Sequence, residues 1–336
     1  MKETIRLVQL HHPSLGRQVA IVEEPLLIIL ANTNSVYELA LNAISLNTSI
    51  QALAEECMTE EKIGYDAVYN GTSEWKLLPS FDHPSNPFAC LVSGTGLTHK
   101  NSALNRQMMH KAGADTLTDS MKIYQWGLEG GRPETGRIGV QPEWFYKGPG
   151  SILKAHNETL ECPVYADDGG EEPEVAGVYI IGPDGQPFLV GFTTGNEFSD
   201  HVMEKKNYLY LAPSKLRNCA IGPELVVGGT FNDIEGSVEI IREKKSLWLQ
   251  DIKTGENNMA HSLHNLEHHH FKYAAHRIPL QAHVHFLGAD AFSFGKGIAL
   301  QNGDTMRVFW KGLGRPLQNK VSIESGAAVL TTVKTL

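Results

Sequence analysis

Apolar and polar positions alternate along much of this chain with the period of two that marks half-buried strands. Arg6–Leu10, Arg17–Glu23 and Pro25–Ala31 predict three short strands, the first two joined by a turn at Pro13-Ser14-Leu15-Gly16. Asn34-Ser35 can then cap a helix through Tyr37, Leu39 and Ala40, and a second helical stretch is predicted near Ile50–Met58 with Glu55 and Glu56 toward water. Further strands are predicted at Ala89–Ser93, Glu174–Ile181, Phe188–Phe192, Ser237–Ile241, Leu247–Leu249, Ala282–Leu287, Thr305–Trp310 and Ala327–Val333. Turns such as Gly182-Pro183-Asp184-Gly185 and Gln301-Asn302-Gly303-Asp304 separate them. Helical periodicity is confined chiefly to Ser102–Ala112 and Asn257–Ala275. This pattern predicts a β-rich α+β fold rather than a doubly wound sheet, with no internal repeat.

Between Pro79 and Pro87, three prolines interleaved with Ser, Asp and Asn have the chemistry of a solvated linker. The expected organisation is a small N-terminal α+β domain over residues 1–87 and a larger β-rich domain over 88–336.

At 336 residues the chain can bury a core without disulfide staples, and its net charge of -9 argues against a nucleic-acid footprint. The N-terminus lacks a basic flank followed by an apolar stretch, and no apolar run approaches the roughly 20 residues that span a bilayer. A soluble, cytoplasmic protein is expected, without a nucleic-acid or membrane partner. Cys57, Cys90, Cys162 and Cys219 form no Cys-x-x-Cys pair and are expected to be reduced.

The most informative stretch is Glu171-Glu172-Pro173-Glu174-Val175-Ala176-Gly177-Val178. Residues two apart on a strand share a face, so Glu172 and Glu174 can aim two carboxylates at one point. A divalent cation is the usual reason to tolerate such a pair. An acidic turn in water reads equally from these residues, and Asp167-Asp168-Gly169-Gly170 just before them fits that alternative.

With Gly195-Asn196-Glu197-Phe198-Ser199-Asp200, placed across a hairpin from the Glu-x-Glu, the chain resembles the catalytic domain of the fumarylacetoacetate hydrolase superfamily. That resemblance implies a β-roll catalytic domain of mixed sheets and a Mg2+ site, with Mn2+ or Ca2+ as substitutes. Its ligands would be Glu172, Glu174 and Glu197, the last standing where the family commonly has Asp. Lys215, ahead of Ile221-Gly222-Pro223, would bind substrate carboxylate or oxyanion; read without the family, it is a surface lysine. Pro142-Glu143-Trp144-Phe145-Tyr146-Lys147-Gly148-Pro149 and Gly303–Gly314 are further matches. The resemblance covers about residues 90–336, says almost nothing of residues 1–87, and implies a small 2-keto acid as substrate and a homodimer as assembly.

Within that superfamily the hydrolases' Asn-Tyr-x-x-His-x-x-Glu is replaced here by Gly96-Leu97-Thr98-His99-Lys100-Asn101-Ser102, with Ser102 and Asn105 where the His and Glu would fall. The stretch is more similar to the 2-keto-3-deoxy-sugar-acid dehydratases. That similarity makes Glu143 a candidate acid/base and His99 a second one. The substrate-contact positions would be Lys147, His201, Ala289 and Asp290. His201 stands where many members have Arg, and Ala289 replaces a Thr hydroxyl of Leu-Gly-Thr. Two alternatives stay open: hydrolysis of a 2,4-diketo acid, and a non-catalytic metal- or sugar-acid-binding protein.

His264, His268, His269, His270 and His276 form the densest histidine cluster. His264 and His268, at i and i+4, could clamp zinc, but an exposed helix or loop is the simpler expectation. His283 and His285 share a strand face, either lining a pocket or sitting as satisfied core residues.

Overall fold

A computed structural model describes residues 4–109 and 117–336, the side chains of residues 105, 108 and 109 excepted. The first part runs β1 (Ile5–His12), β2 (Gly16–Glu23), β3 (Leu26–Leu30), α1 (Val36–Ser45), α2 (Ile50–Glu56), β4 (Met58–Gly64), α3 (Tyr65–Tyr69) and β5 (Lys76–Leu77). Next come β6 (Cys90–Gly94), α4 (Lys100–Met109), α5 (Asp119–Gly130), β7 (Phe145–Pro149), β8 (Leu153–Lys154), β9 (Thr159–Cys162), β10 (Pro173–Ile181) and β11 (Pro187–Asn196). The remainder is α6 (His201–Lys206), α7 (Leu211–Lys215), β12 (Cys219–Val227), β13 (Ile234–Arg242), β14 (Lys245–Thr254), α8 (Leu263–Phe271), β15 (Ala282–Phe286), β16 (Thr305–Trp310) and β17 (Leu317–Ile323).

One long sheet has the order β4-β3-β2-β1-β12-β11-β10-β15-β6-β7, with β5 on β1 and β8 on β12; a second has the order β14-β13-β16-β17-β9. The long sheet is mixed: β15 and β6 are parallel, while β10 pairs antiparallel with both β11 and β15. The β-rich architecture expected from the pattern is what the chain adopts, with the mixed sheets that the resemblance implies.

Residues before and after position 87 share that sheet, because β1 pairs with β12 with Leu7 opposite Leu225. They also share a core: Leu7, Val19, Ile28 and Val36 bury against Val178, Ile180, Leu225 and Val284. Each such side chain contributes roughly 1.5–3 kcal/mol. A buried carboxylate fastens the same seam: Glu224 accepts from Arg6, from the Tyr65 hydroxyl and from the Arg315 N–H, each at 2.9 Å.

Several expectations need correction. The Pro79–Pro87 stretch is solvated only in part: Ser85 and Asn86 are exposed, but Ser80 and Phe81 are fully buried, Ser80 Oγ meets Thr193 Oγ1 at 2.8 Å, and Arg17 donates to Asp82 at 3.0 Å. Ala327–Val333 forms no strand, since its apolar side chains, such as Val329 and Val333, find nothing to pack on. The helix expected over Ser102–Ala112 spans Lys100–Met109, its last three expected positions lying outside the described residues. The α8 region is exposed only in part: His264 faces solvent, but His269 and His270 are buried. β12 was not among the expected strands, and all nine of its residues are buried, so no apolar–polar alternation marks it.

Candidate active site

The site grows from the β10–β11 hairpin. Pro173 lies opposite Asn196 and Glu174 opposite Gly195, and one step further the Glu197 N–H donates to the Glu172 carbonyl at 2.9 Å. Pro173 is the first residue of β10, where proline is tolerated in a sheet, so the chain stays extended and Glu172 and Glu174 keep one face. All three glutamates are buried, and one oxygen from each lies within 4.8 Å of the others. Glu197 is thus placed at the end of the paired strand rather than in a turn.

Two buried lysines reach this trio. Lys215, the last residue of α7, places Nζ 2.6 Å from Glu172 Oε1 and 2.6 Å from Glu197 Oε2, with the Phe145 ring centroid 4.6 Å away. Lys147, on β7, donates to Glu197 Oε1 and to the Phe198 carbonyl at 2.7 Å. Glu197 Oε1 also accepts from Ser199 Oγ at 2.9 Å. Among the described residues no ammonium pairs with Glu174; its Oε2 accepts from the Gly288 N–H at 2.6 Å.

These surroundings set the charges. Burial would raise Glu172, but the Lys215 charge and the His201 contact overturn it and hold the carboxyl well below the usual range. Burial, reinforced by the Glu197 and Glu172 charges, pushes Glu174 well above that range. Lys215 is raised, because the Glu172 and Glu197 charges outweigh its burial. A buried three-oxygen cluster with one acid lacking a cationic partner fits a hard divalent cation, which takes carboxylate oxygen ligands.

A second cluster adjoins the first. Glu143, just ahead of β7, accepts from Arg106 NH1 at 2.9 Å and from the Tyr208 hydroxyl at 2.7 Å. Arg106 also pairs through Nε with Glu204, and all three charged side chains are buried. Glu143 packs so closely on Gly96 that a Cβ there would lie 1.8 Å from Oε2. Glu143, Phe145 and Lys147 recur at every second position of an extended chain, which carries all three toward the site.

His201, at the start of α6, is 2% exposed rather than on the surface. Its Nε2 lies 3.1 Å from Glu172 Oε1, and its ring stacks on Phe292 at 4.8 Å and Phe294 at 5.2 Å. Burial lowers its pKa, but the Glu172 hydrogen bond and the Glu172 and Asp168 charges carry the net shift upward. The Phe292–Phe294 segment is pinned by buried Glu171, which accepts from Ser293 N at 2.6 Å and Ser293 Oγ at 2.8 Å.

Other sequence candidates lie elsewhere. His99 is a core residue with Nδ1 at 2.9 Å from Thr98 Oγ1 and Nε2 at 3.1 Å from Thr254 Oγ1, and burial lowers its pKa to about 3. Asp290 accepts from Asn101 Nδ2 and the Lys253 N–H, bracing a loop. Ala289 is buried next to Gly288, and it is Gly288 that reaches Glu174. His270, His276, His283 and His285 gather in the core with Trp144. His285 is satisfied by Ser93 and Thr95 at 2.8 and 2.7 Å. The four cysteines are free thiols, and burial raises that of Cys219 to about 12.

Sequence reasoning missed Arg106, Glu204, Tyr208, Glu171 and Ser293. Glu171 adjoins the Glu-x-Glu without belonging to its alternation, and the segments of the other four carry no motif spacing and meet only in the fold.

No protein-family profile matches the chain, and no curated protein sequence matches it. Solved structures share its fold. A 2-keto-3-deoxy-D-arabinonate dehydratase complexed with magnesium and 2,5-dioxopentanoate superposes with a TM-score of 0.70 at 17% identity, over 96% of this chain and 100% of that one. A 2-hydroxyhepta-2,4-diene-1,7-dioate isomerase from Mycobacterium marinum gives 0.58 at 15% identity, over 96% and 100%. A 5-carboxymethyl-2-hydroxymuconate delta-isomerase from Mycobacterium smegmatis gives 0.57 at 16% identity, over 95% and 100%. The resemblance read from the motifs therefore holds at the level of fold. Among the described residues no helix is long and apolar enough to cross a membrane.

Proposed function

We propose that this protein is a Mg2+-dependent lyase that removes water from a 2-keto-3-deoxy sugar acid of about pentonate size. The observation that carries the reading is the convergence of Glu172, Glu174 and Glu197 in a buried cluster, with Lys215 on two of them. Likeness to the fold of a dehydratase complexed with magnesium and a 2-keto acid supports it.

A divalent cation among the three carboxylates supplies Lewis-acid polarisation of a 2-keto oxygen, which acidifies C3. Lys215 provides an ammonium for the anionic end of the substrate. Glu143, oriented by Arg106 and Tyr208, takes the C3 proton and returns it to the departing C4 hydroxyl. The C3–H and C4–O bonds break, a C3–C4 double bond forms, and one water leaves; loss of a C5 proton from this enone, protonation at C3 and ketonisation of the resulting C4–C5 enol then give the C5 semialdehyde, so atoms and charge balance. Burial of these side chains keeps bulk water from the anion formed at C3.

Dehydration is favoured over C–C hydrolysis by one observation. By the motif resemblance Ser102 falls at the position of the water-activating histidine, and nearby His99 has both ring nitrogens engaged by threonines. The test supplies 2-keto-3-deoxypentonate and a 2,4-diketo acid in parallel, with magnesium or with chelator, and follows products by NMR. A semialdehyde formed only with magnesium supports the reading; pyruvate release from the diketo acid, or turnover of neither, overturns it.

A further inference from the structure

Lys215 and Lys147 are both buried against the carboxylate trio, but they are held differently. Lys147 has a neutral anchor, the Phe198 carbonyl at 2.7 Å, besides Glu197. Among the described residues Lys215 donates to Glu172 Oε1 and Glu197 Oε2, both carboxylates of the trio. It also lies against the Phe145 ring, which suits a cation but fixes no direction. Lys215 also ends a five-residue helix and carries the long flexible stem that lets an ammonium swing.

Charge makes the difference matter. With all three carboxylates ionised around a divalent cation, the two ammonium groups leave one net positive charge. In a buried site such an excess is strongly unfavourable unless a group moves or an anion arrives. Lys147 keeps an acceptor whichever oxygens the cation takes, whereas Lys215 shares both of its acceptors with the cation.

We propose that Lys215 is an internal competitor of the divalent cation: cation binding displaces its ammonium from Glu172 and Glu197 and turns it into the receptor for an anionic substrate group. This rests on the metal-site reading above and adds an order to it, cation first and 2-keto acid second. It also assigns Lys215 an energetic cost on metal affinity that a lysine serving the substrate alone would not impose.

The test is calorimetric titration of MgCl2 into the chelator-treated full chain, wild type and Lys215→Met, with no substrate present. The expected result is magnesium binding at least about tenfold tighter in Lys215→Met; equal or weaker binding overturns the competition. Absence of magnesium binding by both proteins would instead sink the metal-site reading itself, which separates the two failures. Should the variant misfold, wild type suffices: acylation of Lys215 by acetic anhydride, quantified by peptide mass spectrometry, is expected to rise severalfold on adding magnesium. Unchanged or lower acylation overturns the proposal.

Discussion

The Glu197 amide donates to the Glu172 carbonyl at 2.9 Å, one step beyond the last ladder pair of the β10–β11 hairpin. That bond turns two acids 25 residues apart in sequence into neighbours. The position of Glu197 is therefore inherited from strand register, and a one-residue slip would send its carboxylate to the opposite face.

Glu174→Gln keeps the shape of the trio while removing the acid that has no lysine partner. Magnesium affinity is expected to fall at least about tenfold, because ligand charge sets the strength of oxygen-ligated sites. Calorimetry checks this, and unchanged affinity would show that the cation binds without Glu174.

Arg106→Met leaves Glu143 and Glu204 facing each other without their shared cation. Breaking a buried pair in this way costs about 3–5 kcal/mol, and urea melts should show a loss of that order. Adding Glu143→Gln to the same chain should recover part of it; no recovery would mean that the Arg106–Glu143 contact contributes little.

Gly96→Ala sets a methyl against the free end of Glu143. Since the clash at 1.8 Å is with the tip of a side chain, the fold should survive while Glu143 is displaced. A misplaced acid/base of this kind lowers kcat by roughly 10²-fold. A fully active variant would remove Glu143 from the chemistry.

Buried neutral histidines set the acid limit. Burial lowers His99, His283 and His285 from 6.5 to about 3, and His156 and His261 to about 4. Below pH 6.5 these five rings bind more protons in the unfolded chain than in the folded one, so their share of the stability is fully present above that value and drains as pH falls toward 4. Each ring contributes about 1.4 kcal/mol per pH unit there. Tm should drop steeply between pH 6.5 and 5, with unfolding complete before pH 4; a flat Tm across that interval would contradict these environments.

How much of this was legible in the sequence depended on whether a local period carried it. The Glu172, Glu174 pair follows from strand alternation, and the Ser35 cap of α1 from side-chain chemistry, with its hydroxyl accepting from the Glu38 N–H. Glu197 and Lys215 needed the family resemblance, because nothing in their own spacing points back to Glu172. Arg106, Glu204 and Tyr208 were illegible: a buried ion pair between α4 and α6 leaves no trace in either helix's pattern. The α8 histidines misled for a related reason, since polar residues read as exposed until a strand carrying His283 and His285 is seen to receive His270, whose Nε2 lies 3.0 Å from His283 Nδ1.

The central claim is that three glutamate carboxylates share one divalent ion. Crystals grown with Mn2+ and oxalate, measured at a wavelength where manganese scatters anomalously, test it most directly. The account requires an anomalous peak about 2.2 Å from one oxygen each of Glu172, Glu174 and Glu197, with oxalate on the same ion. Clear density for the three side chains with no peak among them, or a peak held by other residues, would contradict it.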